Sequence, residues 1–132
     1  MPRGAVLIKH FELGGKRLET RFEVKGDDDQ YYYLTYKWNA AGTDAELLPG
    51  ALDETVTVNG QSQVWHYPSR SECLNCHQQE AGSILGPKTR YLNRSITYPS
   101  TGITANQLVT LSSIGILDQS ISNAQAANFL TM

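Results

Sequence analysis

Cys73-Leu74-Asn75-Cys76-His77 sets the chain's only two cysteines three residues apart, with one of its three histidines directly after the second. Cys-x-x-Cys-His is the spacing at which a polypeptide holds a c-type haem covalently. Each thiol can add across one vinyl group of the porphyrin, and the adjacent imidazole is then delivered to the iron as an axial ligand. Two other chemistries use the same residue types. A zinc site needs a second ligand pair at finger spacing, which His10 and His66 do not form. A thioredoxin-like dithiol needs a βαβ setting, whereas the chain before Cys73 reads as β-hairpins. The expected cofactor is therefore one covalent haem c, attached through Cys73 and Cys76, with His77 as proximal metal ligand.

The elements that must position this motif follow from patterning. Gly14-Gly15 reads as a two-residue hairpin turn between strands over Ala5–Leu13 and Lys16–Lys25. The second strand alternates, with Leu18, Thr20, Phe22 and Val24 on one face and Arg17, Glu19, Arg21 and Glu23 on the other. If Leu13 opposes Lys16, then Leu7, Lys9 and Phe11 lie opposite Phe22, Thr20 and Leu18 on the apolar face, and His10 falls opposite Glu19. Gly26–Asp29 reads as a solvated turn and Tyr31–Trp38 as a third strand, followed by an irregular stretch over 39–52. A second hairpin, Glu54–Val58 and Gln61–Trp65, is closed by Asn59-Gly60, a type I′ sequence. Pro68 stops the strand, and Ser69-Arg70-Ser71-Glu72 supplies a capping box for the helix that carries the motif. Thr104-Ala105-Asn106-Gln107 repeats the capping signal before a helix ending at Gly115, and a short last helix follows Ser122.

These elements describe an α+β chain of one domain over residues 1–132. An antiparallel β-rich half (4–67) packs on a small cytochrome c-like helical haem-binding half (68–132). A net charge of −2 and a pI near 5.9 give no basic footprint for nucleic acid. No apolar run approaches the ~20 residues of a membrane span. Covalent haem attachment takes place in an oxidising, extracytoplasmic compartment, while the segment after Met1-Pro2-Arg3-Gly4 is already strand-like. The expectation is a domain excised from a larger secreted or periplasmic protein.

The distal ligand decides whether the iron only carries electrons or also binds a substrate. Methionine is represented only by Met1 and Met132. His66 lies seven residues before Cys73, awkwardly close for reaching the opposite haem face, and His10 lies on the charged side of the hairpin. Lys9 is aimed by the expected register into the apolar face with Leu7, Phe11, Leu18 and Phe22, where an unpaired ammonium is costly. Ligation as a neutral amine would remove that cost, as would a buried ion pair, a haem propionate or a one-residue register shift. Lys9 is the favoured distal metal ligand, with His10, Met132 and an open site as alternatives. Arg70, Arg90 and Arg94 are candidate propionate partners, and Trp65, Tyr67 and Tyr91 candidate pocket residues.

Val6–Phe11, Arg17–Phe22, Tyr36–Trp38 with Thr43-Asp44-Ala45, Tyr67-Pro68-Ser69-Arg70 and Leu85–Asn93 together resemble a c-type cytochrome haem domain. The family is that of secreted bacterial multi-modular redox proteins, in which such units stand beside carbohydrate-binding or sugar-dehydrogenase-like modules. The resemblance implies a Lys-x-Phe at Lys9 and Phe11, and, as in cytochromes c, a Gly-Pro at Gly86-Pro87 whose proline carbonyl accepts a hydrogen bond from the axial imidazole. Lys88 would then lie on the proximal side. The implied function is electron transfer between redox partner proteins outside the cytoplasm, through a low-spin haem with a nitrogen distal ligand. A haem enzyme or small-ligand sensor with an open distal site is the alternative. A carbohydrate-binding module with a sugar platform at Tyr31–Trp38 is a third reading.

Overall fold

The computed structural model describes residues 1–131. Two compact units divide the chain, Met1–Ser83 and the segment from Ile84 onward. The first contains a four-stranded antiparallel sheet in the order β1-β2-β3-β4, built from β1 (Val6–Leu13), β2 (Lys16–Lys25), β3 (Tyr31–Trp38) and β4 (Ala45–Leu47). A separate hairpin pairs β5 (Leu52–Val58) with β6 (Gln61–Tyr67). Both hairpin turns carry two residues at positive φ, Gly14-Gly15 (55° and 80°) and Asn59-Gly60 (52° and 76°), as a type I′ turn requires. The tips meet: a Cβ on Gly14 would lie 2.1 Å from Val58 Cγ1, so glycine is required there by contact as well as by φ.

The expected register of the first hairpin holds only near its turn. Leu13 opposes Lys16 and Glu12 opposes Arg17, but a bulge between Phe11 and Glu12 then shifts the pairing by one residue. Beyond it Phe11 opposes Glu19, His10 opposes Thr20, Lys9 opposes Arg21 and Leu7 opposes Glu23. Leu18 takes up the extra position and is 2% exposed. Because side chains alternate along a strand, this one-residue shift exchanges the faces that β1 shares with β2. Leu7, Lys9 and Phe11 thus stand with Glu19, Arg21 and Glu23, not with Phe22 and Thr20. Lys9 itself is exposed, and the expectation that it is buried in an apolar face is overturned.

The β strands at Lys16–Lys25 and Tyr31–Trp38 match their expected bounds, whereas β4 lies in the stretch expected to be irregular. Helices are short. Those of 68–131 are α1 (Arg70–Cys73), α2 (Thr89–Leu92), α3 (Gln107–Ser113) and α4 (Asn123–Ala126), with a single 3₁₀ turn at Gln79–Ala81. A two-stranded sheet, β7 (Ser95–Thr97) with β8 (Thr104–Asn106), occupies part of the region expected to be helical. The fold is thus mixed and β-rich with antiparallel sheets, and the helical half expected over 68–132 is not observed in that form. Gly86-Pro87, Pro99 and Gly102 interrupt the second unit, and its Ser and Thr residues compete for backbone hydrogen bonds, both against long helices. Thr104 belongs to β8; Asn106 caps α3, its side chain accepting from Val109 N at 3.2 Å. A short helix, α4, follows Ser122 as expected, and a capping box of Ser122 with Gln125 starts it.

In the first unit the buried apolar residues are Leu18, Tyr33, Val56 and Tyr67. Lys37 Nζ on β3 reaches Glu54 Oε1 on β5 at 2.9 Å, and Tyr67 O–H donates to Glu54 Oε2 at 3.3 Å. In the second unit Asn93 is the organising polar residue. Its buried side chain donates to the carbonyls of Ala126 (2.9 Å) and Phe129 (3.1 Å) and accepts from Asn106 Nδ2 at 2.8 Å, above a core of Leu108 and Ala126.

Candidate functional site

The segment 68–83 belongs with the sheets of the first unit. Its entry is fixed twice. Thr35 Oγ1 on β3 donates to the Pro68 carbonyl at 3.0 Å, and the Ser69 side chain accepts from Glu72 N while Glu72 Oε2 accepts from Ser69 N at 2.8 Å. These Ser69 contacts hold the Glu72 carboxyl below its usual range. Ser69→Ala is expected to cost about 1 kcal/mol of stability, read by urea unfolding.

α1 ends at Cys73, but the spiral continues through the motif. Cys76 N and His77 N both donate to the Cys73 carbonyl, at 3.3 and 3.0 Å. Positions i, i+3 and i+4 therefore stay on one side of a single turn. Both thiols are free; Cys73 is half-buried and Cys76 exposed. Burial pushes the Cys73 thiol up, while nearby Arg21 pulls it down.

The loop after His77 closes back onto it. Gly82 and Ser83 both have positive φ (81° and 59°), and Gly82 N and Ser83 N donate to the carbonyls of Gln79 and Gln78, each at 2.9 Å. The turn sets the Ser83 carbonyl 2.7 Å from His77 Nδ1. A carbonyl can only accept, so Nδ1 carries the proton and the lone pair of a neutral imidazole resides on Nε2. The carbonyl facing His77 Nδ1 is that of Ser83, where the resemblance implies Pro87, and it is brought there by the chain reversal at Gly82-Ser83. The Ala-Gly-Ser sequence at 81–83 was the available signal for that turn.

On its sheet side the motif meets the face that carries Glu23 and, paired with it on β3, Tyr33. The Tyr33 ring lies 5.0 Å from the His77 ring at 49°, and its O–H points to the His77 carbonyl at 3.5 Å. Burial, followed by Glu23 and Cys73, raises Tyr33 to about 12, so it stays protonated. Glu23 Oε1 lies 3.5 Å from His77 Nδ1; the residue is 9% exposed, and this oxygen has no hydrogen-bond partner among the described residues. Burial raises the Glu23 carboxyl, with His77 opposing.

Glu19 is fully buried and ion-paired with Arg21, which lies over the Phe11 ring at 4.3 Å. Burial raises the Glu19 carboxyl and Arg21 lowers it. Arg21→Ala would leave Glu19 uncompensated. The expected loss is about 2–3 kcal/mol near neutral pH, below a fully buried pair because Arg21 is partly solvated. A carboxyl raised on folding stabilises below its unfolded value and loses that contribution as pH rises through the folded value. The deficit of the variant should therefore shrink in acid, which thermal unfolding across a pH series would show.

Lys9 Nζ lies 4.7 Å from the Phe11 ring centroid, on the Glu23 side of the sheet. His10 points to the other side, where Nδ1 is 2.7 Å from Thr20 Oγ1, itself accepting from Trp38 Nε1. His66 has both nitrogens near carboxylates, Nδ1 2.6 Å from Asp53 and Nε2 3.5 Å from Glu72, and the Asp53 contact raises it. Trp65 packs edge-on against Phe11 at 6.4 Å. Arg70 is exposed at the start of α1. Pro87, Arg90, Tyr91 and Arg94 belong to the second unit, where Arg90 Nη2 donates to Tyr91 O–H at 3.2 Å. Met132 lies outside the described residues.

Sequence reasoning missed Ser83, Glu23 and Tyr33. Chemically, the turn offers two thiols and one imidazole nitrogen together, a donor set suited to covalent attachment of a porphyrin and one axial bond. Among the described residues no group of three or more His, Cys, Asp or Glu side chains is gathered to hold a bare metal ion. Comparison with protein-family models, with curated proteins and with solved structures finds no match to this chain.

Proposed function

We propose that this chain carries one haem c, bound covalently through Cys73 and Cys76 with His77 as the axial ligand, and that it transfers single electrons between redox partner proteins. One observation carries the reading. His77 donates from Nδ1 to a backbone carbonyl, which leaves the Nε2 lone pair for iron in the same turn that presents two free thiols. Metal-binding histidines are oriented in this way, with the far nitrogen's proton given to a carbonyl or carboxylate. When bound, the haem supplies a one-electron Fe(III)/Fe(II) couple. The protein's own residues fix the imidazole tautomer, pack Tyr33 against the ring and set the charge around it.

Lys9 is the proposed distal donor. Its support is no longer burial but position: it projects from the Glu23 and Tyr33 face, and it has no carboxylate within ion-pair distance among the described residues, unlike Lys25 and Lys37. Arg70 and Arg90 are the proposed propionate partners, and Pro87 remains a proposed part of the cofactor environment. Attachment chemistry supports an extracytoplasmic location, periplasmic or secreted, and a parent protein with polysaccharide-associated modules fits the family resemblance. No helix among the described residues is long and apolar enough to cross a membrane.

The second reading is a haem enzyme or small-ligand sensor with an open distal position. It is favoured by the exposure of Lys9, which removes the energetic need for ligation. Electron paramagnetic resonance and visible spectra of the ferric haem-loaded protein separate the two. Low-spin signals without a methionine–iron band support the electron carrier, and a high-spin spectrum supports the open site.

A further inference from the structure

Glu23 is a buried carboxylate whose Oε1 has no hydrogen-bond partner among the described residues and lies near the nitrogen of His77 that faces away from the proposed iron. Burying an unpaired anion is costly unless a polarisable donor faces it. The donor that faces it is Nδ1–H, whose proton is already engaged by the Ser83 carbonyl at 2.7 Å, with Glu23 Oε1 at 3.5 Å on the same nitrogen. We infer that Glu23 is a positioning residue whose negative charge, acting through the His77 imidazole, biases the haem iron toward Fe(III) and lowers its potential. The inference rests on haem attachment at the motif and adds to it a residue that controls the couple.

Three features make the arrangement specific. Glu23 is on the central strand β2, opposite Leu7 on one side and Tyr33 on the other, so its backbone is held by pairing on both edges. Tyr33, stacked against His77, closes the same side of the ring and stays protonated. The two cations that flank it along β2 on that face are committed elsewhere, Arg21 to Glu19 and Lys25 to Asp29. The carboxylate therefore meets the imidazole without a competing ion pair. Electron density returned through an axial imidazole by a hydrogen-bonded or nearby carboxylate favours the more oxidised metal.

The test is a potentiometric titration of the haem-loaded protein at one mildly alkaline pH, comparing wild type, Glu23→Gln and Glu23→Asp. Glu23→Gln should favour Fe(II) by about tenfold, a rise of about 59 mV for a one-electron couple, with haem content and low-spin spectrum retained. Glu23→Asp keeps the charge and should restore most of the difference. A second readout needs no haem: in the apoprotein, nitrogen chemical shifts of the His77 ring should change in Glu23→Gln and return toward wild type in Glu23→Asp. A loaded Glu23→Gln protein with a potential within twofold of wild type in equilibrium terms would overturn the inference while leaving haem attachment standing. A wild-type chain that takes up no haem would overturn both. If Glu23→Gln fails to fold, Glu23→Ala takes its place in both readouts: a potential and apoprotein shifts unchanged from wild type would overturn the inference.

Discussion

Replacing both thiols, Cys73→Ser with Cys76→Ser, is expected to abolish covalent haem. Wild-type chain produced alongside a c-type haem maturation system should gain the mass of one haem that survives denaturation, and the double variant should gain none. The reason is chemical rather than conformational. A thiol adds to an activated vinyl group to give a thioether, while a serine hydroxyl of nearly the same shape is a far weaker nucleophile at neutral pH. The turn itself is held by backbone bonds from Cys76 N and His77 N to the Cys73 carbonyl, which serine leaves in place, so the variant should stay folded as judged by circular dichroism. Single variants should keep one thioether at reduced yield. Exposed Cys76 and half-buried Cys73 differ in access. Wild type that emerges unmodified from a maturation-competent host, or a double variant that keeps acid-stable haem, would each sink the assignment.

The reach of the sequence differs between backbone and faces. Turn chemistry was legible: Gly14-Gly15 and Asn59-Gly60 can take the positive φ values of a two-residue hairpin, and both turns form where those residues fall. The Ser69 capping box was legible for the same reason, since it needs only residues three apart, and the start of a short helix after Ser122 was legible too. The faces were not. Lys16–Lys25 alternates cleanly, so either register gives a plausible hairpin, and the choice depends on the bulge at Phe11/Glu12. Bulges arise from how a strand must twist against its neighbours, which alternation does not encode. That single displaced residue put Lys9 on the face of Glu19, Arg21 and Glu23, beside Arg21, and not with Phe22 and Thr20. Burial of Glu19 runs against its residue type, and only its pairing with Arg21 makes it tolerable. In the candidate site, Cys73, Cys76 and His77 were readable because their spacing is local. Ser83 came through a turn, and Glu23 and Tyr33 came through strand pairing across tens of residues.

Lys9→Ala is the sharper test of what the iron does. If Lys9 supplies the distal nitrogen, the ferric wild type should be six-coordinate and low-spin, and Lys9→Ala should become predominantly high-spin in both visible and paramagnetic resonance spectra. Lys9→Arg should behave like alanine, because a guanidinium does not release its proton to become a ligand. The position makes the experiment clean. Lys9 is exposed, and its ammonium rests over the Phe11 ring, so truncation should change stability by no more than about 0.5 kcal/mol. A spectral change of this size could not then be ascribed to unfolding. The register also gives a reason for the lysine to leave the sheet surface: it stands directly opposite Arg21, a like charge across the strand pair, which disfavours resting there. His10, on the opposite side of the same strand and held against Thr20, provides the internal control. His10→Ala should leave the spectrum unchanged. A low-spin spectrum that persists in Lys9→Ala would remove the lysine from the iron, and a high-spin wild type would give first place to the open site, where exchangeable ligands such as cyanide should bind without displacing any protein donor.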